Sequence, residues 1–294
     1  MTRRPLAALV LGLVLPALAA CAPRDGVAGG GTAGLGEKFE VPMTDAAGGQ
    51  HRLQARVCRP DGPGPARLAV INHGSPPNAD ARPRMVLSRC GDEAARWFTA
   101  RGYAVAFALR RGYGATGGDW AEGYGRCAQA DYLRAGLETA RDIAAVVDAG
   151  MALPGIRPDG AVVVGQSAGG WGTMALASAP HPRVAAMVVM AGGRGGHQDG
   201  VPDRNCHPER LAETAGLLGA TARTPMLWVY AVNDSYFAPP IAEAMHRAFT
   251  AAGGTAELVQ PGPFGRDGHQ LFFGPGGSAV WGPVVERYLA RRGI

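Results

Sequence analysis

The residues Gly165-Gln166-Ser167-Ala168-Gly169 place a serine between small neighbours in a G-x-S-x-G spacing. That spacing lets a serine sit on a sharp, strained turn where bulkier neighbours would clash. The flanking sequence supplies the setting, with an apolar strand at Ala161–Val164 before it and a small-residue helix at Ala168–Ala179 after it. A helix beginning there directs partial positive charge at an oxygen that becomes negative during attack on a carbonyl. A serine hydroxyl is a weak nucleophile and needs a base, oriented in turn by a third group. In strand–turn–helix elbows of this kind the partners follow in the order serine, acid, histidine. Asp234, in Asn233-Asp234-Ser235, and His269, in Asp267-Gly268-His269-Gln270, fit that order. Each follows an apolar strand, so both belong on the rim of the sheet that carries Ser167.

The remaining histidines fit less well. His51 lies in a leading hairpin, His181 beyond the elbow helix and His246 inside an amphipathic helix. His197 and His207 lie in a long segment without strand character, as do Asp199 and Asp203, the alternative acids. An oxyanion requires two N–H donors. Ala168, next to the nucleophile, supplies one, and Ser75 in His73-Gly74-Ser75-Pro76-Pro77 supplies the other, with His73 supporting that loop from inside. Tyr113, Trp120, Tyr124, Trp171, Tyr236 and Phe237 flank these loops and suggest an apolar pocket.

The elements that must position these groups alternate along the chain. Lys38–Met43 and His51–Cys58 read as a hairpin about the turn Ala47–Gly49. Strands follow at Leu68–Asn72, Tyr103–Leu109, Ala161–Val164, Val184–Ala191, Met226–Tyr230 and Ala256–Gln260. Helical patterns occupy Arg84–Ala100, Asp131–Ala149, Ala168–Ala179, Pro239–Ala252 and Ser278–Arg291. This alternation implies an α/β fold, a mostly parallel sheet covered on both faces. Residues 192–223 carry no clear strand and read as an insert or lid.

The N-terminus has a different character. Arg3 and Arg4 precede an apolar run from Pro5 to Ala20 that is short for a membrane span. It ends Leu18-Ala19-Ala20-Cys21, which resembles a bacterial lipobox with Cys21 as the lipidated residue. The expected organisation is a signal segment at 1–21, a Gly- and Ala-rich linker at 22–36 and one catalytic domain at 37–294. The expected location is the periplasm or cell envelope, with the lipid anchor in a membrane. Cys58, Cys90, Cys127 and Cys206 would then meet an oxidising compartment, with three pairings open. Cys127 and Cys206 both fall towards the catalytic rim, where a bridge would pin the insert over the pocket. No CxxC spacing points to a structural metal. The net charge of +5 comes almost wholly from scattered arginine, since Lys38 is the only lysine. Scattered arginines without interleaved aromatics do not make a nucleic-acid surface.

Taken in order, the His73-Gly74-Ser75 loop, Arg110-Arg111-Gly112-Tyr113-Gly114, Gly165–Gly170, Asn233-Asp234 and Gly268-His269 resemble the α/β-hydrolase superfamily. More narrowly they resemble its dienelactone-hydrolase-like and prolyl-oligopeptidase-like branch, over residues 50–290. The resemblance implies an eight-stranded sheet and ester or amide hydrolysis without a cofactor. Dienelactone hydrolases carry a cysteine where this chain has Ser167, so fold and triad carry over and the substrate does not. The resemblance does not extend to the large extra domain of the oligopeptidases. The expected activity is cleavage of a small-molecule carboxylic ester through an acyl-enzyme on Ser167. The alternatives are a serine peptidase acting on small peptides and a non-catalytic envelope lipoprotein built on a hydrolase fold.

Overall fold

The structure, a computed structural model, describes residue 1, residues 36–179 and residues 181–294. The expected signal segment, Cys21 and all of the linker except Gly36 lie outside the described residues. Eight strands form one sheet: β1 (Glu37–Thr44), β2 (Gln50–Cys58), β3 (Arg67–Asn72), β4 (Tyr103–Ala108), β5 (Ala161–Gln166), β6 (Val184–Met190), β7 (Met226–Val229) and β8 (Ala256–Val259). Their spatial order is β1-β2-β4-β3-β5-β6-β7-β8, and β3 to β8 run parallel. Only β2 runs against its neighbours, pairing antiparallel with β1 and β4. The hairpin at the start of the domain thus caps one edge of an otherwise parallel sheet.

Runs such as Ala161-Val162-Val163-Val164 are apolar on both faces because both faces of the sheet are covered. The period of two sorts their side chains. Val163, Met187, Val189 and Trp228 pack on one side with helices α2 (Tyr132–Met151), α3 (Ala168–Ser178), α4 (Pro208–Thr221) and α5 (Pro239–Ala251). Val162, Val164, Val188 and Leu227 pack on the other with α1 (Glu93–Thr99) and α6 (Gly277–Ala290). Ridges of Trp97, Phe98 and Trp281 dominate that second layer.

Two expectations change. The helix read across Arg84–Ala100 begins only at Glu93. Residues 79–84 form a 3-10 turn containing Pro83, Cys90 is bonded to Cys58, and the Asp92 carboxylate accepts the Arg89 N–H at 2.8 Å. These ties keep the chain out of a helix until Glu93, with a turn closed from Asp92 N–H to Arg89 O at 3.0 Å. The segment 192–223 is not loop throughout, because residues 208–221 form α4. Pro208 sits in its first turn, where the missing N–H costs nothing, and Leu211, Ala215 and Leu218 make its buried stripe.

A second disulfide joins Cys127 to Cys206, with Cα atoms 5.4 Å apart. It ties the loop after β4 to the loop after β6. Among the described residues no helix is long and apolar enough to cross a membrane.

Candidate active site

The triad candidates and Ser75 all follow the C-terminal ends of parallel strands, where open α/β sheets bind ligands. Ser167 follows β5, Asp234 follows β7, His269 follows β8 and Ser75 follows β3. Ser167 has φ 54° and ψ −118°, a conformation an L-residue adopts only under constraint. Its N–H donates to Met190 O at 3.0 Å, and its carbonyl accepts from Trp171 and Gly193. A Cβ on Gly169 would stand 2.6 Å from both the Asn72 and His73 carbonyl oxygens. The glycine therefore lets α3 close directly onto the loop after β3.

Asp234 is buried, and its Oδ1 accepts the N–H groups of Tyr236 (2.8 Å) and Phe237 (2.9 Å). Both of its oxygens lie 3.1 Å from His269 Nδ1. The carboxylate cannot donate, so Nδ1 carries the proton and Nε2 is left as the basic nitrogen. Ser167 and His269 line one cleft of about 330 Å³ without a direct hydrogen bond. Such contacts commonly tighten only when substrate is bound. Asp199 and Asp203 are both exposed, and neither meets His269; Asp199 pairs with Arg204 at 3.6 Å.

Asp267, two residues before His269, has a role that its sequence position does not signal. Its carboxylate accepts the His269 N–H at 2.9 Å and the Ser235 hydroxyl at 2.7 Å. Partial burial pushes this carboxyl up, but the Ser235 and His269 donors outweigh it and hold it below the usual range. Ser235 Oγ also meets His197 Nε2 at 2.8 Å. The Tyr236 ring lies between the two imidazoles, with centroids 3.5 Å from His197 and 4.2 Å from His269. Gln166, on the elbow, donates to the His269 carbonyl at 3.1 Å. The histidine loop is thereby fixed from its backbone as well as its ring. His207 instead sits beside Glu209, at 2.6 Å.

Ser75, Ser167 and Ala168 also line a second cavity, of about 120 Å³. Among the described residues no acceptor takes the Ser75 N–H, and the Ala168 N–H opens α3, where helix donors have no partner within the helix. His73 holds the Ser75 loop in place. Its Nδ1 donates to Gly74 O at 2.7 Å, so its Nε2 accepts the Arg110 N–H at 3.3 Å. The Arg110 guanidinium also donates to the His73 carbonyl at 2.7 Å. Desolvation, with the nearby Arg110 cation, holds this imidazole down to about 3, neutral wherever esters are stable. Arg110 pairs with buried Glu122 at 2.6 Å, and Arg194 approaches the same carboxylate at 2.9 Å. Burial alone would raise the Glu122 pKa, yet the two guanidiniums hold it well below the carboxylate range.

Of the aromatic residues, Trp120, Tyr124, Tyr236 and Phe237 line the smaller cavity. Tyr113 and Trp171 are wholly buried and line neither cavity; the Tyr113 hydroxyl donates to Glu122, and the Trp171 indole N–H donates to the Tyr132 carbonyl at 2.8 Å. A further cleft of about 480 Å³, beside Arg67, Tyr103 and Arg101, lies where β3 and β4 begin and holds no nucleophile.

With this geometry in view, the likenesses to known proteins are specific about architecture. The prolyl oligopeptidase family model matches residues 92–194, which is less than half the chain. No curated protein matches the sequence. Among solved structures, an acylaminoacyl peptidase from Pyrococcus horikoshii is 15% identical with a TM-score of 0.59, covering 81% of this chain. The match covers only 39% of that peptidase, so this chain corresponds to well under half of it. A putative dienelactone hydrolase from Klebsiella pneumoniae is 17% identical with a TM-score of 0.56, over 89% of this chain and 99% of the other. Est1E from Butyrivibrio proteoclasticus is 15% identical with a TM-score of 0.54, over 87% and 98%. Strand order, the strained serine after β5 and these neighbours lead to one conclusion about architecture: the chain has the α/β-hydrolase fold.

Proposed function

We propose that the protein is a serine hydrolase cleaving carboxylic esters of small molecules through an acyl-enzyme. The observation that carries this reading is His269 Nδ1 held on buried Asp234, with strained Ser167 in the same cleft. Ser167 attacks the carbonyl, and His269 Nε2 takes its proton and returns it to the leaving alcohol. Asp234 orients the imidazole and offsets its charge. The Ser75 and Ala168 N–H groups receive the oxyanion, and water then releases the acid.

The prolyl oligopeptidase match keeps a peptidase in view. Neither cavity at Ser167 is lined by a carboxylate that would receive a free amino terminus, which counts against a peptidase acting on unblocked small peptides. A fluorophosphonate probe is expected to label Ser167, and Ser167→Ala to abolish labelling and turnover. A panel of p-nitrophenyl esters and peptide p-nitroanilides then separates the two activities. Labelling mapped to another serine, or turnover confined to the amides, overturns the reading.

We further propose that the enzyme is exported and anchored through lipid on Cys21, supported by the Leu18–Cys21 sequence and by two disulfides in the domain. Mass spectrometry of the mature N-terminus from a Gram-negative host tests this. An unmodified N-terminus at another residue would sink it.

A further inference from the structure

Arg194 has no part in the chemistry described so far, although it stands beside it. The residue follows β6 and is 4% exposed. Its Nη2 meets Glu122 Oε1 at 2.9 Å and Thr139 Oγ1 at 3.1 Å. Among the described residues its Nε has no acceptor, and no hydrogen bond uses its Nη1. Buried donors are nearly always satisfied, and a bare one on a guanidinium asks for an anion. Arg194 also forms part of the wall of the 120 Å³ cavity, with Trp120, Tyr124, Tyr236 and Phe237.

Glu122 alone serves both Arg110 and Arg194, while Arg111 is held by Asp142 and Glu138. Arg194 thus shares its one carboxylate with a second guanidinium, and no carboxylate lines the cavity itself.

The two cavities also divide the substrate. His269 must protonate the departing oxygen, so the leaving alcohol belongs in the larger cleft, which His269 lines. The smaller cavity has Ser167, Ser75 and Ala168 but not His269 in its wall, so it receives the acyl chain. Its volume equals about four water molecules at ~30 Å³ each, room for a short chain only.

We propose that the smaller cavity is the acyl subsite and that Arg194 selects short acyl chains ending in a carboxylate. The preferred substrates are then half-esters of short dicarboxylic acids. This inference rests on the serine-hydrolase reading for its chemistry, but the subsite itself is testable by binding alone. Ser167→Ala protein is titrated calorimetrically with monoethyl succinate and with ethyl 4-oxopentanoate, in which a methyl ketone replaces the carboxylate at nearly equal size. The half-ester is expected to bind about tenfold to a hundredfold more tightly, the range of a hydrogen bond to a charged group. Adding Arg194→Gln is expected to bring the two affinities within about threefold, since the charge-assisted donors are gone. Should that protein fail to fold, Arg194→Lys keeps the charge but loses the planar fork, and the ratio is still expected to fall. Equal binding in the Ser167→Ala protein, or a ratio indifferent to the Arg194 variant that folds, overturns the proposal. Wild-type protein assayed on the same two esters reads the other question. Turnover of the ketone ester in preference to the half-ester refutes the subsite and keeps the hydrolase. Preferential binding without turnover or probe labelling keeps the subsite and refutes the hydrolase.

Discussion

Ser167 spends its life in a backbone conformation that glycine would occupy freely, at φ 54° and ψ −118°. Holding a non-glycine residue there costs about 1–3 kcal/mol, and the surrounding turn must absorb that cost. Ser167→Gly is therefore expected to be inactive yet more stable than Ser167→Ala. The gain is about 1 kcal/mol after the extra flexibility of unfolded glycine is deducted. Differential scanning calorimetry of the two variants checks the order; a lower melting temperature for the glycine protein would show that the turn is unstrained. For the acid, Asp234→Asn is expected to lower turnover by about 10⁴ with the fold intact, because the imidazole loses its orienting charge. Asp199→Asn and Asp203→Asn, on exposed residues, are expected to change it less than about tenfold. Three turnover numbers measured side by side decide the assignment. Ser167, Asp234 and His269 were legible because their neighbours and chain order are distinctive. Asp267 and Gln166 were not, since both act on the His269 backbone, and contacts to a peptide group leave no signature in residue spacing.

Elements were legible wherever one physical signal dominated. The central strands β4, β5, β6 and β7 announce themselves as apolar runs, because burial on both faces leaves few polar positions, whereas β1 and β2 alternate polar and apolar residues. Errors came where a local tie overrode the pattern. Arg84, Met85, Leu87 and Arg89 have helical character, but Pro83 and the Cys58–Cys90 bond prevent a helix there. Pro208 reads as a breaker in sequence and as a helix start in three dimensions. The Cys127–Cys206 bond encloses a segment with a sequence separation of 79 that contains β5 and the elbow. Loop-closure entropy for such a segment is worth up to ~4.5 kcal/mol, with measured values often lower. Cys127→Ser with Cys206→Ser is expected to lose about 2–4 kcal/mol in urea titrations. A loss below the noise would mean that the loop from 192 to 207 is held by its other contacts, such as Asn205 to the Tyr236 carbonyl at 2.7 Å.

At the scale of the whole molecule, the buried charges set an acid limit. His73 titrates near 3 when folded against 6.5 ordinarily, so the unfolded chain binds an extra proton between those values. Its contribution is complete above the ordinary value and is lost as pH falls towards 3. Glu122 works in the same direction, as its folded pKa is also depressed. Stability is expected to fall as pH drops below about 6.5, and His73→Gln to remove up to ~1.4 kcal/mol per pH unit from that slope. Urea midpoints between pH 7 and pH 4 test it; an unchanged slope would mean that His73 is solvated. The fold as a whole could be read from alternation alone, but the charge cluster could not. Arg110 and Glu122 share the loop after β4, but Arg194 is distant in the chain and meets them only because β4 and β6 end on one rim. The cysteine pairing has a consequence of another kind. Cys58 bonds to Cys90 and Cys127 to Cys206, so each of these four cysteines pairs with its neighbour along the chain, and lipid on Cys21, as proposed above, would keep that earlier thiol out of the pairing. In a polypeptide that emerges from a membrane N-terminus first, each thiol would meet its correct partner before any later thiol appeared. An oxidase acting on successive thiols would then suffice, with no isomerase needed to reshuffle wrong pairs. The yield of active enzyme should accordingly be insensitive to the loss of that second catalyst.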